Sequence, residues 1–241
     1  MRLHHVAGGD GPTLVLLGSL GSDLTLWEPQ LPALEGYRIV RVDLPGHGGS
    51  PVPDEQFTIA EVGRAVLALV ESRVSVCGLS LGGLVAMSMA AEAPARIERL
   101  VLACTKASFP PRDQWAERAE LVRSEGTGAI VDGALQRWLT AEADAKVVEH
   151  ARAMLLSTPA EGYARCCEAL RDADLAPDLS RIAAPTLVLA GAEDPTVTPA
   201  DAEALAGAIP AARQVTIDRG AHLLNSERPA EFSRALLENL A

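Results

Sequence analysis

Three side chains in this sequence belong to the types that cleave acyl bonds, and their order along the chain lets them cooperate. The first, Ser80, sits in Gly78-Leu79-Ser80-Leu81-Gly82, behind the short apolar run Val74 to Cys77 and ahead of a small-residue stretch, Gly82 to Ala93. A G-x-S-x-G between a strand and a helix turns the chain so tightly that the serine takes strained backbone angles. The flanking glycines remove side chains that would clash there. The turn presents Oγ above a sheet at a helix N-terminus, whose dipole favours developing negative charge.

A serine hydroxyl is a weak nucleophile. It needs a base, and the base needs an acid to orient it. In a strand–turn–helix setting the expected order is Ser, then Asp or Glu, then His. Asp194 follows the apolar run Thr186 to Ala190, in Gly191-Ala192-Glu193-Asp194-Pro195; His222 follows Arg213 to Ile217, in Gly220-Ala221-His222-Leu223. Both therefore fall where loops at the C-terminal edge of a parallel sheet converge. Of the competitors, Glu193 points elsewhere and Asp218 ends a strand too close to His222. His4 and His5 precede the first central strand, and His150 lies in a helical stretch. His47, in the turn-rich loop Asp43-Leu44-Pro45-Gly46-His47-Gly48, is given a structural role. Ser80, Asp194 and His222 are the candidate catalytic residues. An oxyanion also needs two main-chain N–H donors. Leu81, after the nucleophile, supplies one, and the loop Gly18-Ser19-Leu20-Gly21-Ser22 supplies the other, through Leu20 or, failing it, Ser19.

The elements that must position these groups read as a single α/β pattern. Thr13 to Leu17, Tyr37 to Val42, Val74 to Cys77 and Leu100 to Ala103 are short, apolar and strand-like. Thr58 to Glu71, behind an N-cap at Thr58, and Gly82 to Ala93 are helical. Strands alternating with helices imply a mostly parallel sheet flanked by helices. From about Lys106 to Arg181 strand signals vanish, and amphipathic segments such as Gln114 to Arg123, Ala129 to Leu139 and Ala145 to Leu156 take over. Strands then return, and a helix from Pro229 to Leu240 closes the pattern. Residues 1–105 and 182–241 are thus expected to form one core, with 106–181 a helical lid over the strand ends.

Composition bounds the partners. With 241 residues and 48% apolar content the chain can bury one large core, which rests on Leu, Val, Ile and Ala because aromatics make up only 3%. A formal charge of −11 leaves no basic stripe for nucleic acid or for an anionic membrane surface. No apolar run approaches the roughly 20 residues needed to span a bilayer, and Met1 to His5 opens no signal peptide. Cys77, Cys104, Cys166 and Cys167 lack metal-ligand spacing and read as reduced thiols of a cytoplasmic protein.

Taken together, these segments resemble the α/β-hydrolase superfamily over essentially the whole chain. Within it they are most similar to the 3-oxoadipate enol-lactonases. The resemblance is carried by Leu17-Gly18-Ser19-Leu20-Gly21-Ser22-Asp23-Leu24 running to Trp27, by Arg41 to Gly48, and by Cys77-Gly78-Leu79-Ser80-Leu81-Gly82-Gly83-Leu84. Gln136-Arg137-Trp138-Leu139-Thr140 and Glu161-Gly162-Tyr163-Ala164 complete it. Many superfamily members carry His-Gly where this chain has Gly18-Ser19; a serine before Leu-Gly favours the narrower family. The resemblance implies hydrolysis of an anionic enol-lactone to 3-oxoadipate with no metal or organic cofactor. A substrate carboxylate entering a net acidic protein needs a local cation. Arg137, beside Trp138, is the candidate, with Arg118 and Arg123 behind it. The elbow and the three catalytic residues are shared with carboxylesterases and C–C bond hydrolases, and a ligand receptor of the same fold is the non-enzymatic alternative. Oligomeric state is not legible in the sequence.

Overall fold

The computed structural model describes residues 1–241. Its centre is a seven-stranded sheet of order β1-β3-β2-β4-β5-β6-β7. The strands are β1 (His5–Gly8), β2 (Thr13–Leu17), β3 (Arg38–Val42), β4 (Val74–Leu79), β5 (Ile97–Ala103), β6 (Thr186–Gly191) and β7 (Ala212–Ile217). All neighbours pair in parallel except β1, which runs antiparallel to β3, with His5 opposite Val42. The inner strands β4 and β6 are buried at every position, as expected where helices cover both faces of a parallel sheet. By contrast, all four residues of β1 are exposed. This edge strand was not expected from the sequence, because no side of it carries a hydrophobic pattern.

The helices are α1 (Ile59–Leu67), α2 (Leu81–Glu92), α3 (Asp113–Glu125), α4 (Val131–Trp138), α5 (Ala145–Ser157), α6 (Ala160–Asp172), α7 (Pro199–Ala208), α8 (Leu224–Glu227) and α9 (Pro229–Leu240). The N-cap expected at Thr58 is a full capping box, with Thr58 and Glu61 each accepting from the other's main-chain N–H. The helix it starts ends at Leu67, short of Glu71. The segment beginning near Ala129 is a 3-10 turn, Thr127–Ile130, followed by α4. Helix α2 is buried on every side from Leu81 to Ala91. It can lie there because Gly82, Gly83, Ala86, Ser88, Ala90 and Ala91 keep it thin.

Between β5 and β6 the chain forms α3 to α6 and contributes no strand. Helices α3 and α6 pack on each other. Trp115, Val122, Leu155 and Tyr163 from this segment join the same continuous core as the sheet residues. No helix is long and apolar enough to cross a membrane.

Candidate active site

Local backbone chemistry builds the turn at Ser80. The residue has φ 55 and ψ −113, a left-handed region that non-glycine residues rarely adopt. Two glycines make the turn possible. A Cβ on Gly78 would run into the main chain of Gly82, and one on Gly82 would run into the carbonyls of Leu17 and Gly18. Three bonds then hold the strained residue: Ser80 N–H donates to the Ala103 carbonyl (2.9 Å), Thr105 Oγ1 donates to the Ser80 carbonyl (2.8 Å), and Gly82 N–H donates to the Gly18 carbonyl (3.0 Å). Strain of about 1–3 kcal/mol at such a residue persists only where neighbours over-determine it.

The structure brings the three chemistry-bearing side chains into one hydrogen-bonded chain. Ser80 Oγ lies 2.9 Å from His222 Nε2, and His222 Nδ1 lies 2.7 Å from Asp194 Oδ2. Asp194 follows β6, His222 follows β7, and Ser80 follows β4, so all three sit at the C-terminal ends of parallel strands. The other oxygen of Asp194 accepts the N–H groups of Thr196 (2.8 Å) and Val197 (3.0 Å). Oδ2 is thereby left to take the Nδ1 proton of His222, which sets Nε2 as the acceptor facing Ser80. All three residues are buried. Glu193 and Asp218, the rival carboxylates, are exposed.

The main-chain N–H groups of Leu20 and Leu81 take part in none of the backbone hydrogen bonds of the turns and loops, so both are free to donate beside Ser80. Ser19 N–H is likewise free, and both Ser19 and Leu20 line the cavity above Ser80.

That cavity has a volume of about 370 Å³ and is lined by Ser80, His222, Ser19 and Leu20 below. Lys106, Phe109, Gln114, Trp115, Arg118, Arg137, Trp138 and Tyr163 are among its other walls. Its lining holds three cationic side chains and no carboxylate. The three cations differ. Lys106 is 3.7 Å from Asp201 and stands over the Phe109 ring. Arg118 stacks on Trp115, its Cζ 5.0 Å from the ring centroid. Arg137 and Arg118 make no salt bridge. Burial, and next the charge of Arg118, push Arg137 below the usual guanidinium value. Arg123 lies outside the cavity, bonded to Glu161 at 2.8 Å and to Glu168 at 2.8 Å. Trp138 is buried, and its carbonyl accepts the N–H of Leu223, next to His222 (2.9 Å).

Two neighbours of the site carried no readable signal in the sequence. Cys104, expected only as a small buried hydrophobe, follows β5 at φ 45; its Sγ lies within 4.8 Å of the Asp194 and His222 ligand-type atoms and 3.7 Å from the Ala221 carbonyl. A thiol, a carboxylate and an imidazole could together ligate a metal. Here the carboxylate and imidazole are engaged with each other, and burial raises the Cys104 thiol well above its ordinary value, so it stays protonated. The other is Glu227, whose carboxylate accepts from Ala221 N–H and from both the N–H and Oγ1 of Thr140, each at 2.8 Å. It fastens the His222 loop to the end of α4, where Arg137 and Trp138 sit.

The profile of the alpha/beta hydrolase family matches residues 14–235 of this chain. The chain is 36% identical over 235 residues to 3-oxoadipate enol-lactonase 2 of Acinetobacter baylyi, covering 94% of this chain and 88% of that one. Among solved structures it superposes with a TM-score of 0.95 on the enol-lactonase from Burkholderia xenovorans, at 38% identity and covering 99% of this chain and 96% of that one. A hydrolase from Pseudomonas aeruginosa gives a TM-score of 0.94 at 41% identity, covering 99% and 94%.

Proposed function

The chain belongs to the alpha/beta hydrolase family, and from that premise we propose that it opens the ring of 3-oxoadipate enol-lactone through a serine-bound acyl intermediate. One observation carries the choice of an anionic substrate. A protein of net charge −11 lines the cavity over its nucleophile with Lys106, Arg118 and Arg137 and with no carboxylate. Arg118 and Arg137 are half-buried and have no carboxylate partner, so a ligand that brings a negative charge into the cavity gains charge-assisted bonds to both. The choice of lactone is supported by the similarity to proteins named enol-lactonases.

In this mechanism Ser80 Oγ attacks the lactone carbonyl while its proton passes to His222 Nε2, across the 2.9 Å contact. Asp194 stabilises the imidazolium through Nδ1–H. The tetrahedral oxyanion takes the N–H groups of Leu20 and Leu81. Collapse breaks the ring C–O bond. The departing enolate takes the proton from His222 and tautomerises to a ketone, with the acyl group left on Ser80. Water, deprotonated by His222, then attacks the acyl carbonyl; the acyl–Oγ bond breaks, the His222 proton returns to Ser80 Oγ, and the diacid is released. Arg137, with Arg118, holds the substrate carboxylate, and Trp138 forms the cavity wall beside it. The reading carries with it a cytoplasmic enzyme that uses no metal or organic cofactor.

The test is the spectrophotometric loss of the enol-lactone, generated in situ, against p-nitrophenyl acetate. Much faster consumption of the lactone is the expected result. Efficient ester cleavage with a silent lactone would overturn the substrate and leave a carboxylesterase using the same three residues.

A further inference from the structure

His47 is a buried histidine outside the hydrogen-bonded chain of Ser80, His222 and Asp194, and its two ring nitrogens face opposite kinds of partner. Nε2 lies 2.9 Å from the N–H of Gly21, which can only donate. Nδ1 lies 2.9 Å from the carbonyl of Pro45, which can only accept. A single protonation state satisfies both: neutral, with the proton on Nδ1. Gly21 directly follows Leu20, whose N–H is the oxyanion donor in the reading above. We propose that His47, held as the Nδ1–H tautomer, is a positioning residue that aims the Leu20 N–H at the oxyanion. The inference rests on the assignment of Leu20 as that donor.

Two planes of the loop are held by different partners. The Ser22 N–H (3.2 Å) and Ser22 Oγ (2.8 Å) donate to the Ser19 carbonyl and fix the Ser19–Leu20 plane from one side. His47 fixes the next plane, Leu20–Gly21, and with it the Leu20 end of the first. Gly21 is at φ 78, a conformation that glycine adopts without penalty and that sets the direction of the peptide planes around it. Above, it is closed in by the ends of Trp138, Leu155 and Tyr163, so close that a Cβ at Gly21 would meet all three. Below, the one polar contact of its N–H is His47. The imidazole is clamped in turn. Its loop is pressed against α6, where Gly46 and Gly162 meet backbone to backbone with no room for a Cβ on either. Lid, histidine loop and oxyanion loop are thus stacked in one column, with His47 the hydrogen-bonded link.

A protonated His47 would turn an N–H against the Gly21 N–H. The groups around it are Asp43 and Asp23, whose charges favour protonation, and the Cys166 thiol at 3.9 Å. Burial outweighs both carboxylates and holds the imidazole below its usual value, consistent with the neutral form that the geometry requires. The two carboxylates are themselves occupied: Asp43 with His4, Leu24 N–H and Gly49 N–H, and Asp23 with Thr25.

The first experiment needs no variant. Nitrogen-15 NMR of the imidazole rings reads the tautomer of His47 directly: a proton on Nδ1, unchanged through the neutral and mildly acidic range, is the expected result. A proton on Nε2, or a charged ring at neutral pH, overturns the proposal. The second experiment compares His47→Gln, whose side-chain carbonyl can reach the Nε2 position, with His47→Phe, which has no acceptor. With both folded by circular dichroism, His47→Phe should lose about 10- to 100-fold in kcat at nearly unchanged KM, less than the cost of deleting an oxyanion donor outright. His47→Gln should recover most of that loss. Equal loss in both variants, or a loss confined to KM, overturns the positioning role. Labelling Ser80 with a phosphonate separates this inference from its premise. A Leu20 amide resonance that fails to shift in the wild-type adduct overturns the donor assignment. A shift that survives intact in His47→Phe overturns only the part played by His47.

Discussion

The loops at the strand ends and the helices above them solve different electrostatic problems. Around Ser80, the side chains and the Ser80 main chain are committed within the protein, with the N–H groups of Ser19, Leu20 and Leu81 left free: Asp194 accepts from His222, Thr196 and Val197, and the Ser80 main chain is bonded to Ala103 and Thr105. In the helices the commitment depends on the face. Outside, Arg123 and Arg165 are spent on Glu161 and Glu168. Inside, Arg118 and Arg137 meet the cavity without a carboxylate. A site whose groups satisfy one another is pre-organised for one reaction, whereas a wall with unmatched charge waits for a ligand. Under the proposed function the reaction type belongs to the sheet edge and the choice of substrate to the helices, and variants of the two regions should fail differently.

The largest effect is expected at the sheet edge. Ser80→Ala removes the proposed nucleophile, and turnover should fall by about 10⁶-fold while circular dichroism and the unfolding midpoint stay unchanged. More than a trace of remaining activity in the purified variant would remove Ser80 from its role and dissolve the comparison. Asp194→Asn should follow with a loss of about 10⁴-fold in kcat. An amide at this position can no longer enforce the Nδ1–H tautomer of His222 while also accepting from Thr196 and Val197. KM should move little in either variant.

The helices should behave in the opposite way. Arg137→Ala and Arg118→Ala should each raise KM for the anionic lactone by about 10- to 100-fold with a smaller change in kcat, and should leave p-nitrophenyl acetate, which has no carboxylate, almost untouched. Added salt should slow lactone turnover at low substrate more than ester turnover, because only the charged substrate feels the cationic wall. Equal damage to both substrates would mean that the arginines support the fold rather than the ligand.

How much of this was legible in the sequence depended on how local each cause is. The elbow at Ser80 and strands β2 to β7 are governed by glycine sterics and short apolar runs, which a sequence displays directly. Strand β1 was hidden because its side chains are all exposed; only its pairing with β3 makes it a strand. Arg118 and Arg123 look equivalent on paper. Five residues along a helix rotate a side chain about 140°, which sends one to the cavity and the other to Glu161. Glu227, Cys104 and the partnership of His47 with Gly21 were invisible for a further reason. Each is defined by a contact between segments far apart in the chain, and residue type alone does not reveal such a partner.

The smallest expected effect tests the outer half of the comparison. Arg123 bridges α3 to Glu161 and Glu168 of α6, and its hydrogen bond, reinforced by Arg165, holds the Glu161 carboxyl below its ordinary value. Both partners are substantially solvated, with side-chain exposures of 29% for Arg123 and 40% for Glu161, so water and salt screen the pair and Arg123→Ala should cost about 1 kcal/mol or less. The sign with pH follows from the lowered carboxyl. Its contribution is complete above the unfolded carboxylate value and is lost as pH falls through the folded one. Denaturant midpoints of wild type and Arg123→Ala should therefore differ at neutral pH and converge in acid, with lactone KM unchanged throughout. A rise in KM comparable to that of Arg137→Ala would show that the two faces of the helical layer are not independent, and the division between structural and ligand-facing charge would have to be withdrawn.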